Sequence, residues 1–554
     1  MRLALVGGLA VFACAGFAGV GAGTLAALHG LTGVPSESDL VLKLAVKSVL
    51  FVLTAVLCLL AVRHWLPRTL EDKPGASPEE EATWRTRLAL FGALGLAAAL
   101  AFPRLGAWPS LQPDETHHLI VARNLAVYGK YASGSPDKGF IYRDPYDSVG
   151  PPVLGPVAMA FGLTGNSLPA ARSVMACYYL ALCAALYFLF KPVFGPAGAV
   201  SGLFMLQGAF GSVYLARTLY GEVPALFYLV MALVLWRRAI GRPGFSWEGF
   251  LAGGCFAFMI FCKAFLFISL WAITAAWLYD RLAHRIIRWR HVVWPAVGAL
   301  LTGSVVTLTL SFFPSPSQST IAQIVGYYEH YLMFGFKSVP VTLAWVCSRP
   351  IETLGAIAAM AAAVPVLFHR RYDPAAAALF FLAPLLAFWW IFFTPGNIPR
   401  YTFYSSTIGA LFAGALVWNA LRQARDSERS ILWRCAAGGV ALLLAVAAEE
   451  RCRPEMRGVY FVDEARDDRE LAAYVAALPR DTSVATTHWP LEKMMTLLAD
   501  RYVPLISSVT PPPDAYSVVI AFPQTDALSD RPALRDQRTP DLTIGRYAIV
   551  LNPQ

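Results

Sequence analysis

The sequence predicts a polytopic α-helical membrane protein, with about 13 transmembrane helices, that ends in a small α/β domain. Hydrophobic residues make up 57% of the chain and charged residues only 15%, whereas about one residue in four is charged in an average soluble domain. Long apolar stretches recur up to residue 448, after which the composition changes abruptly. These observations indicate a membrane part and a water-facing tail.

The individual spans are predicted from the lengths of the apolar stretches, because a membrane helix needs about 17 to 25 apolar residues. One further apolar block, residues 248–280, is ambiguous by length alone. The stretches of the required length are 3–28, 41–62, 88–108, 169–190, 196–215, 222–240, 292–313, 351–368, 375–394, 401–421 and 431–448.

The ambiguous block is resolved by the positive-inside rule, which places loops rich in Lys and Arg in the cytoplasm. A single crossing of 248–280 would put the basic segment 281–290 outside. We therefore expect two short helices that meet near Cys262 and Lys263, which gives thirteen spans with the N-terminus inside. The first span could instead be a signal peptide.

This topology divides the chain into three parts. Residues 1–66 hold two N-terminal spans, residues 85–448 form the main transmembrane domain, and residues 449–554 form the small α/β domain. The long loop 109–168 and the tail are then on the same outer side. In the tail, helices are predicted at 463–478 and 491–500, and strands at 483–487, 518–520 and 547–551.

The most informative motif is the acidic pair Asp114 and Glu115, which follows span 88–108 directly. Neighbouring carboxylates can bind a divalent cation or accept a proton from a hydroxyl. The residues up to Tyr128 have helical periodicity, so we expect a helix along the membrane surface with Asp114 and His118 on one face. The alternative is that both acids only stabilise the helix N-terminus.

Other polar residues have two interpretations each. Asp144 and Asp147 could form a second acidic arm of the same site or a solvated turn. Glu222 follows Arg217 closely, so it could pair with that arginine or contact a substrate. In loop 314–350, Tyr328 and Glu329 are a candidate substrate contact and metal ligand, although aromatic residues more often anchor a loop at the membrane interface.

Several motifs in order resemble the GT-C glycosyltransferases, particularly the branch of the protein mannosyltransferases and the aminoarabinose lipid A transferase. The similarity covers roughly residues 85–425, although Cys262 and Ala264 depart from the usual neighbours of the family's lysine. The first two spans also precede the family's usual first helix. The matching segments are Pro113-Asp114-Glu115-Thr116, Gly150-Pro151-Pro152, Arg217 to Pro224, Lys263 and Pro399-Arg400-Tyr401.

The resemblance implies transfer of a sugar from a polyprenyl-phosphate carrier to an acceptor hydroxyl, with inversion, on the periplasmic side of the inner membrane. The acceptor would be a glycan, lipid or protein. Asp114 would be the general base, and Lys263 and Arg400 would bind the lipid phosphate. The candidate substrate contacts are Glu115, His118, Asp144, Asp147, Glu222, Lys263, Tyr328, Arg400 and Tyr401, and the candidate ligands of a divalent metal are Asp114, Glu115 and Glu329.

A transporter or lipid flippase is the alternative function, since it would also need many spans and charges within the membrane. A noncatalytic assembly subunit is a third option. The net charge of +9 is explained by the arginines of the cytoplasmic loops, so no nucleic-acid partner is expected. The cysteines show no spacing typical of a disulfide framework or a thiolate metal site.

Overall fold

The structure is a computed structural model, and it describes residues 84–136, 139–142, 149–209, 211–242, 244–313, 373–393, 403–426, 457–486, 489–499, 501, 503, 516–521 and 542–551. Within these residues, four helices are long and apolar enough to cross a membrane, namely Leu168–Gln207, Glu222–Ile240, Ala264–Ala283 and Arg290–Ser311. The spans predicted at 3–28, 41–62, 351–368 and 431–448 lie outside the described residues.

Most helices of the membrane part follow the predicted apolar stretches, although the helix predicted at 88–108 ends at Ala101. In chain order they are α1 (Trp84–Ala101), α2 (Pro113–Tyr128), α3 (Pro151–Thr164), α4 (Leu168–Gln207), α5 (Ser212–Ala216), α6 (Glu222–Ile240), α7 (Trp247–Cys262), α8 (Ser269–Ala283), α9 (Arg290–Ser311), α10 (Pro374–Phe393) and α11 (Phe403–Asp426). A short antiparallel hairpin of β1 (Ala132–Ser135) and β2 (Gly139–Tyr142) follows α2.

The apolar block 248–280 contains two helices, as predicted. Helix α7 ends at Cys262, Lys263 has an extended backbone, and a 3₁₀ turn leads into α8. Lys263 donates to the carbonyl of Tyr220 at the start of α6. The chain leaving α8 comes back beside the other end of α6, where Trp236 donates to the carbonyl of His291. Helices α7 and α8 therefore run in opposite directions, which confirms the expected hairpin.

The span predicted at 196–215 ends earlier than expected. Helix α4 continues from the preceding span through a kink at Gly195, which has a positive φ of 74°. It stops at Gln207, eight residues before the predicted end, and Gly211 with a φ of 72° separates it from the short helix α5. Glycine adopts this left-handed conformation without the steric cost that other residues meet, so these glycines set the breaks.

The predicted helix after the acidic pair is present as α2, which ends at the left-handed Gly129. It differs from the expected surface helix, because every residue from Glu115 to Asn124 is buried. Helix α3 packs against it, and so does the helix Trp489–Leu498 of the tail. Asn124 also donates to two carbonyls of the β1 strand, at 2.9 and 3.1 Å.

The tail contains helices and a four-stranded sheet, in the α/β order that the sequence predicts. The strand order is β3-β4-β6-β5, with β3 and β4 parallel and the other pairs antiparallel. Strand β5 was not among the predicted strands. The elements are α12 (Arg466–Ala477), β3 (Val484–Thr486), α13 (Trp489–Leu498), β4 (Val518–Ala521), β5 (Leu542–Ile544) and β6 (Tyr547–Leu551).

Hydrogen bonds join the tail to the end of α1 and to the segment that follows it. The Arg104 guanidinium donates to the carbonyl of Tyr460 at 2.6 Å, and the Tyr460 hydroxyl donates to the carbonyl of Ala99 at the same distance. Arg469 donates to the carbonyl of Gly106 at 2.7 Å. In α2 itself, the buried Arg123 donates to the carbonyl of Thr496 in α13. The tail therefore packs at the end of the molecule that carries the acidic pair.

Candidate functional site

The two neighbouring acids at the start of α2 have different surroundings. Asp114 is partly exposed, whereas Glu115 is fully buried. Successive helical residues point about 100° apart, so one side chain can face a cavity while the next faces the protein interior. A general base must reach a bound substrate, and the role of Asp114 as that base stays a prediction.

Glu115 forms a buried ion pair with Arg172 of α4. The two carboxylate oxygens accept from Arg172 Nε and Nη2 at 2.9 and 2.7 Å, and Glu115 Oε1 also accepts the backbone N–H of Leu219 at 3.2 Å. Arg172 Nη1 donates to the carbonyls of Leu105 and Pro109. The bidentate pairing fixes the start of α2 against α4, and the bond from Leu219 joins it to the segment that precedes α6. It favours a positioning role for Glu115 over the predicted metal contact.

Arg217 stabilises the end of α1 and the segment that leads to α2. The last carbonyls of a helix have no partner within the helix, and Arg217 donates to two of them, those of Leu100 and Ala101, at 3.1 Å each. It also donates to the carbonyl of Trp108, at 2.9 and 3.1 Å. All described side-chain hydrogen bonds of Arg217 are therefore with this segment, so the ion pair with Glu222, one of the two alternatives for that acid, is not formed.

Glu222 pairs instead with Lys263, at the break between α7 and the 3₁₀ turn. The Lys263 ammonium lies 3.4 Å from Glu222 Oε1 and donates to the carbonyl of Tyr220 at 2.9 Å. Both side chains are buried. A buried cation is costly unless it is paired, so the carboxylate of Glu222 explains how Lys263 is tolerated there. The structure thus brings together two of the predicted substrate contacts.

His118 lies one turn after Asp114 and is buried, with 1% of its surface exposed. Its ring contacts the ring of the equally buried His117, with 5.7 Å between the centroids. The burial of both rings places them in the packing around α2. Contact of His118 with a substrate stays a prediction.

Several predicted site residues lie outside the described residues, so their roles also stay predictions: Asp144, Asp147, Tyr328, Glu329, Arg400 and Tyr401. In the part of the chain that the structure describes, no group of three or more His, Cys, Asp or Glu side chains could hold a metal ion. The role of Asp114 as a metal ligand likewise stays a prediction.

Arg172 is the residue of this site that sequence reasoning missed. It lies within the predicted span 169–190, which is otherwise apolar. An arginine inside a membrane span is expensive and needs a partner, so this isolated charge is the signal that could have indicated a buried acid. The sequence could not identify Glu115 as that acid, because 57 positions separate the two residues.

The fold is similar to those of solved membrane glycosyltransferases. ArnT from Cupriavidus metallidurans, bound to undecaprenyl phosphate, is 15% identical, with 85% of this chain and 98% of that chain covered and a TM-score of 0.56. The same protein in its apo state gives a TM-score of 0.54. The Archaeoglobus fulgidus oligosaccharyltransferase, in complex with zinc and sulfate, is 13% identical over 77% of this chain and 67% of that chain, with a TM-score of 0.53.

At these identities the similarity concerns the fold, and it confirms the GT-C membrane fold that the sequence motifs predict. No protein-family model matches the sequence, and no curated protein sequence matches it.

Proposed function

Since the chain has the GT-C membrane fold, we propose that it is a glycosyltransferase that moves a sugar from a polyprenyl-phosphate carrier to an acceptor hydroxyl. One observation carries this proposal. Of the two acids at the start of α2, Glu115 is held by Arg172 and Leu219, and Asp114 is left partly exposed. A rigidly positioned helix start with one partly exposed aspartate suits a general base.

In this mechanism the acceptor oxygen attacks C1 of the sugar from the side opposite to the carrier. The new C1–O bond forms as the bond from C1 to the phosphate oxygen breaks, so the configuration at C1 inverts. Asp114 accepts the hydroxyl proton, and the carrier phosphate leaves with the electron pair. Proton transfer to a positioned base typically contributes about 100-fold to 10,000-fold to the rate.

The developing charge on the leaving phosphate needs a fixed cation. Lys263 supports such a contact through its position beside the start of α6, at the same end of the helices as Glu115. Because Glu222 already pairs with it, a phosphate would have to compete with this carboxylate. We assign Arg400 the second phosphate contact, on the sequence motif alone. ArnT with undecaprenyl phosphate supports a carrier of this class.

We place this chemistry on the periplasmic side of the inner membrane. Loops rich in Lys and Arg are cytoplasmic, and by this rule the predicted topology puts Asp114 on the opposite side of the membrane from the basic loops. The same topology puts the tail on the side of Asp114. A divalent cation bound by Asp114 and Glu329 stays a prediction that metal chelation would test.

The test is a transfer assay with purified protein and a defined polyprenyl-phosphate sugar, in which release of the carrier phosphate is measured. The Asp114→Asn variant keeps the size of the side chain and removes the proton-accepting carboxylate. We expect carrier release to fall by at least about 100-fold, with folding and carrier binding unchanged. Near-normal turnover of this variant would move the base to another acid. Movement of an intact carrier between leaflets, without release, would instead indicate a flippase.

A further inference from the structure

The basic loop, which we define as residues 281–290 between α8 and α9, contains four arginines: Arg281, Arg285, Arg288 and Arg290. The first three are exposed. Their guanidiniums have no hydrogen bond or ion pair with another residue that the structure describes, whereas Arg290 donates to the ring of His291 at 3.1 Å. Like charges held close together repel each other, so an anion that contacts several of these arginines is stabilised there.

Hydrogen bonds to Asp280 fix the backbone of the basic loop. The carboxylate of Asp280 is fully buried and accepts the N–H groups of Ile286 and Ile287, at 3.2 and 2.7 Å. Its backbone carbonyl accepts the N–H groups of His284 and Arg285, at 2.9 and 2.6 Å. Arg285 has a positive φ of 59°, a conformation that costs free energy and persists only where the surrounding structure holds it. The arginines of the loop therefore project from a fixed backbone.

Two other acids at the same end of the helices already have their own cations. Glu248 at the start of α7 pairs with Arg242 at 2.8 Å. Asp373 pairs with Arg237 and also accepts two N–H groups at the start of α10. Since Asp280 is bound to backbone N–H groups, none of these three acids neutralises the exposed arginines of the basic loop.

Exposed apolar side chains lie between the arginines and place the basic loop at the membrane interface. Leu282 is 85% exposed and Trp289 is 63% exposed. The Trp289 ring contacts that of Trp277, with 5.1 Å between the centroids, and Phe245 contacts Trp294 of α9 at 4.6 Å. Tryptophan is enriched at the level of the lipid headgroups. A soluble anion would contact only the guanidiniums, so the exposed apolar side chains favour a lipid.

We propose that the basic loop binds the phosphate of an anionic phospholipid, in the leaflet opposite to the side of Asp114. The guanidiniums of Arg281, Arg285 and Arg288 donate to the phosphate oxygens, and the acyl chains pack on Leu282 and Trp289. The bound lipid anchors the end of α8 that lies away from Lys263. This binding does not depend on the proposed glycosyltransferase function.

Native mass spectrometry of the purified full-length chain in detergent tests the proposal. The probes are phosphatidylglycerol and phosphatidylcholine with the same acyl chains, and the affinity for the first bound lipid is measured. The combined variant Arg281→Gln, Arg285→Gln and Arg288→Gln removes three exposed charges. We expect its affinity for phosphatidylglycerol to fall by about tenfold or more, and its affinity for phosphatidylcholine to stay unchanged.

A matched control removes the same charge from the opposite side of the membrane. It combines Arg457→Gln, Arg466→Gln and Arg480→Gln, three exposed arginines of the tail. This variant should bind phosphatidylglycerol as the unchanged protein does. Gel filtration shows whether both combined variants are folded, and labelling of a cysteine at Arg242 with an impermeant maleimide shows whether the loop stays on its side of the membrane.

The Asp280→Asn variant separates a fixed site from general attraction between charges. It removes a negative charge, so general attraction predicts that phosphatidylglycerol binds equally well or more tightly. Loss of the fixed loop should instead weaken binding by about fivefold or more, the equivalent of one net hydrogen bond. If this variant does not fold, the arginine and tail variants decide alone.

Three results would overturn the inference. They are equal affinity of the unchanged protein for the two phospholipids, an equal loss in the arginine and tail variants, and undiminished binding by a folded Asp280→Asn variant. A loss confined to the arginine variant and Asp280→Asn supports the lipid site, whether or not sugar transfer is observed.

Discussion

Two adjacent carboxylates at the start of α2 differ in what surrounds them. Glu115 accepts three N–H groups, from Arg172 and Leu219, while Asp114 is partly exposed. Breaking a buried ion pair by removing one partner typically costs about 3 to 5 kcal/mol, because the other charge is left without compensation. The pair therefore matters for folding as well as for positioning Asp114.

This pairing predicts the behaviour of a double-mutant cycle. Glu115→Gln and Arg172→Gln should each lower the free energy of unfolding by roughly 3 kcal/mol or more. The double variant should lose clearly less than the sum of the two, because neither change then leaves an unpaired charge. The measurement is reversible unfolding of the purified variants in detergent. Strictly additive losses would show that the two side chains do not interact.

A second prediction at this scale concerns Lys263. Replacing it with Ala removes the ammonium from the start of α6 and leaves the Glu222 carboxylate uncompensated. We expect the affinity for a polyprenyl-phosphate carrier to fall more than the affinity for the acceptor. The double variant Lys263→Met with Glu222→Met, which keeps the volume and removes both charges, is the control for folding. Unchanged carrier binding in both variants would count against the phosphate role.

At the scale of elements, the charge of short loops predicted how many times the chain crosses the membrane. Residues 248–280 are apolar enough for one long span, and only the basic segment after them required two helices. The break at Lys263 and the return beside Trp236 agree with that requirement. Glycines set the other breaks, at Gly195 and Gly211, where the backbone adopts a positive φ.

The hairpin gives a topological prediction. Single cysteines introduced at Asp114 and at Arg288 should react with a membrane-impermeant maleimide from opposite sides of the membrane. A cysteine at Arg242, which follows α6 at the same end as Arg288, is the control and should react together with Arg288. Labelling of Arg288 from the side of Asp114 would contradict two crossings by residues 248–280.

At the scale of the whole molecule, the tail and the membrane part share a boundary around α2. The buried Arg123 reaches from α2 to the carbonyl of Thr496, and Arg104 and Tyr460 join the two parts at the end of α1. The same boundary contains a cavity of about 530 Å³, and Asp463 and Asp468 of the tail are among the residues that line it. The tail therefore covers the helix that carries the proposed base.

Because Arg123 joins α2 to the tail, we expect Arg123→Met to weaken the packing of the tail on the membrane part. The change keeps an apolar stem and removes the guanidinium, so we expect a loss of about 1 to 3 kcal/mol from the buried hydrogen bond to the carbonyl of Thr496. Limited proteolysis after residue 448 should become faster, and transfer activity should fall with it. Arg466→Met, at an exposed ion pair of the same tail, should leave both unchanged. Equal cleavage rates for the two variants would contradict the docking.

The sequence by itself determined the membrane class, the positions of most described helices, the hairpin at Lys263 and the acidic motif. These features depend on local apolar length, helical periodicity and the charge of short loops, all of which can be read within a few residues. Tertiary structure alone decided that Glu115 pairs with Arg172, that Glu222 pairs with Lys263 instead of Arg217, and that α13 covers α2. A buried charge needs a nearby opposite charge. When the two residues are far apart along the chain, the packing of the helices determines which opposite charge is near.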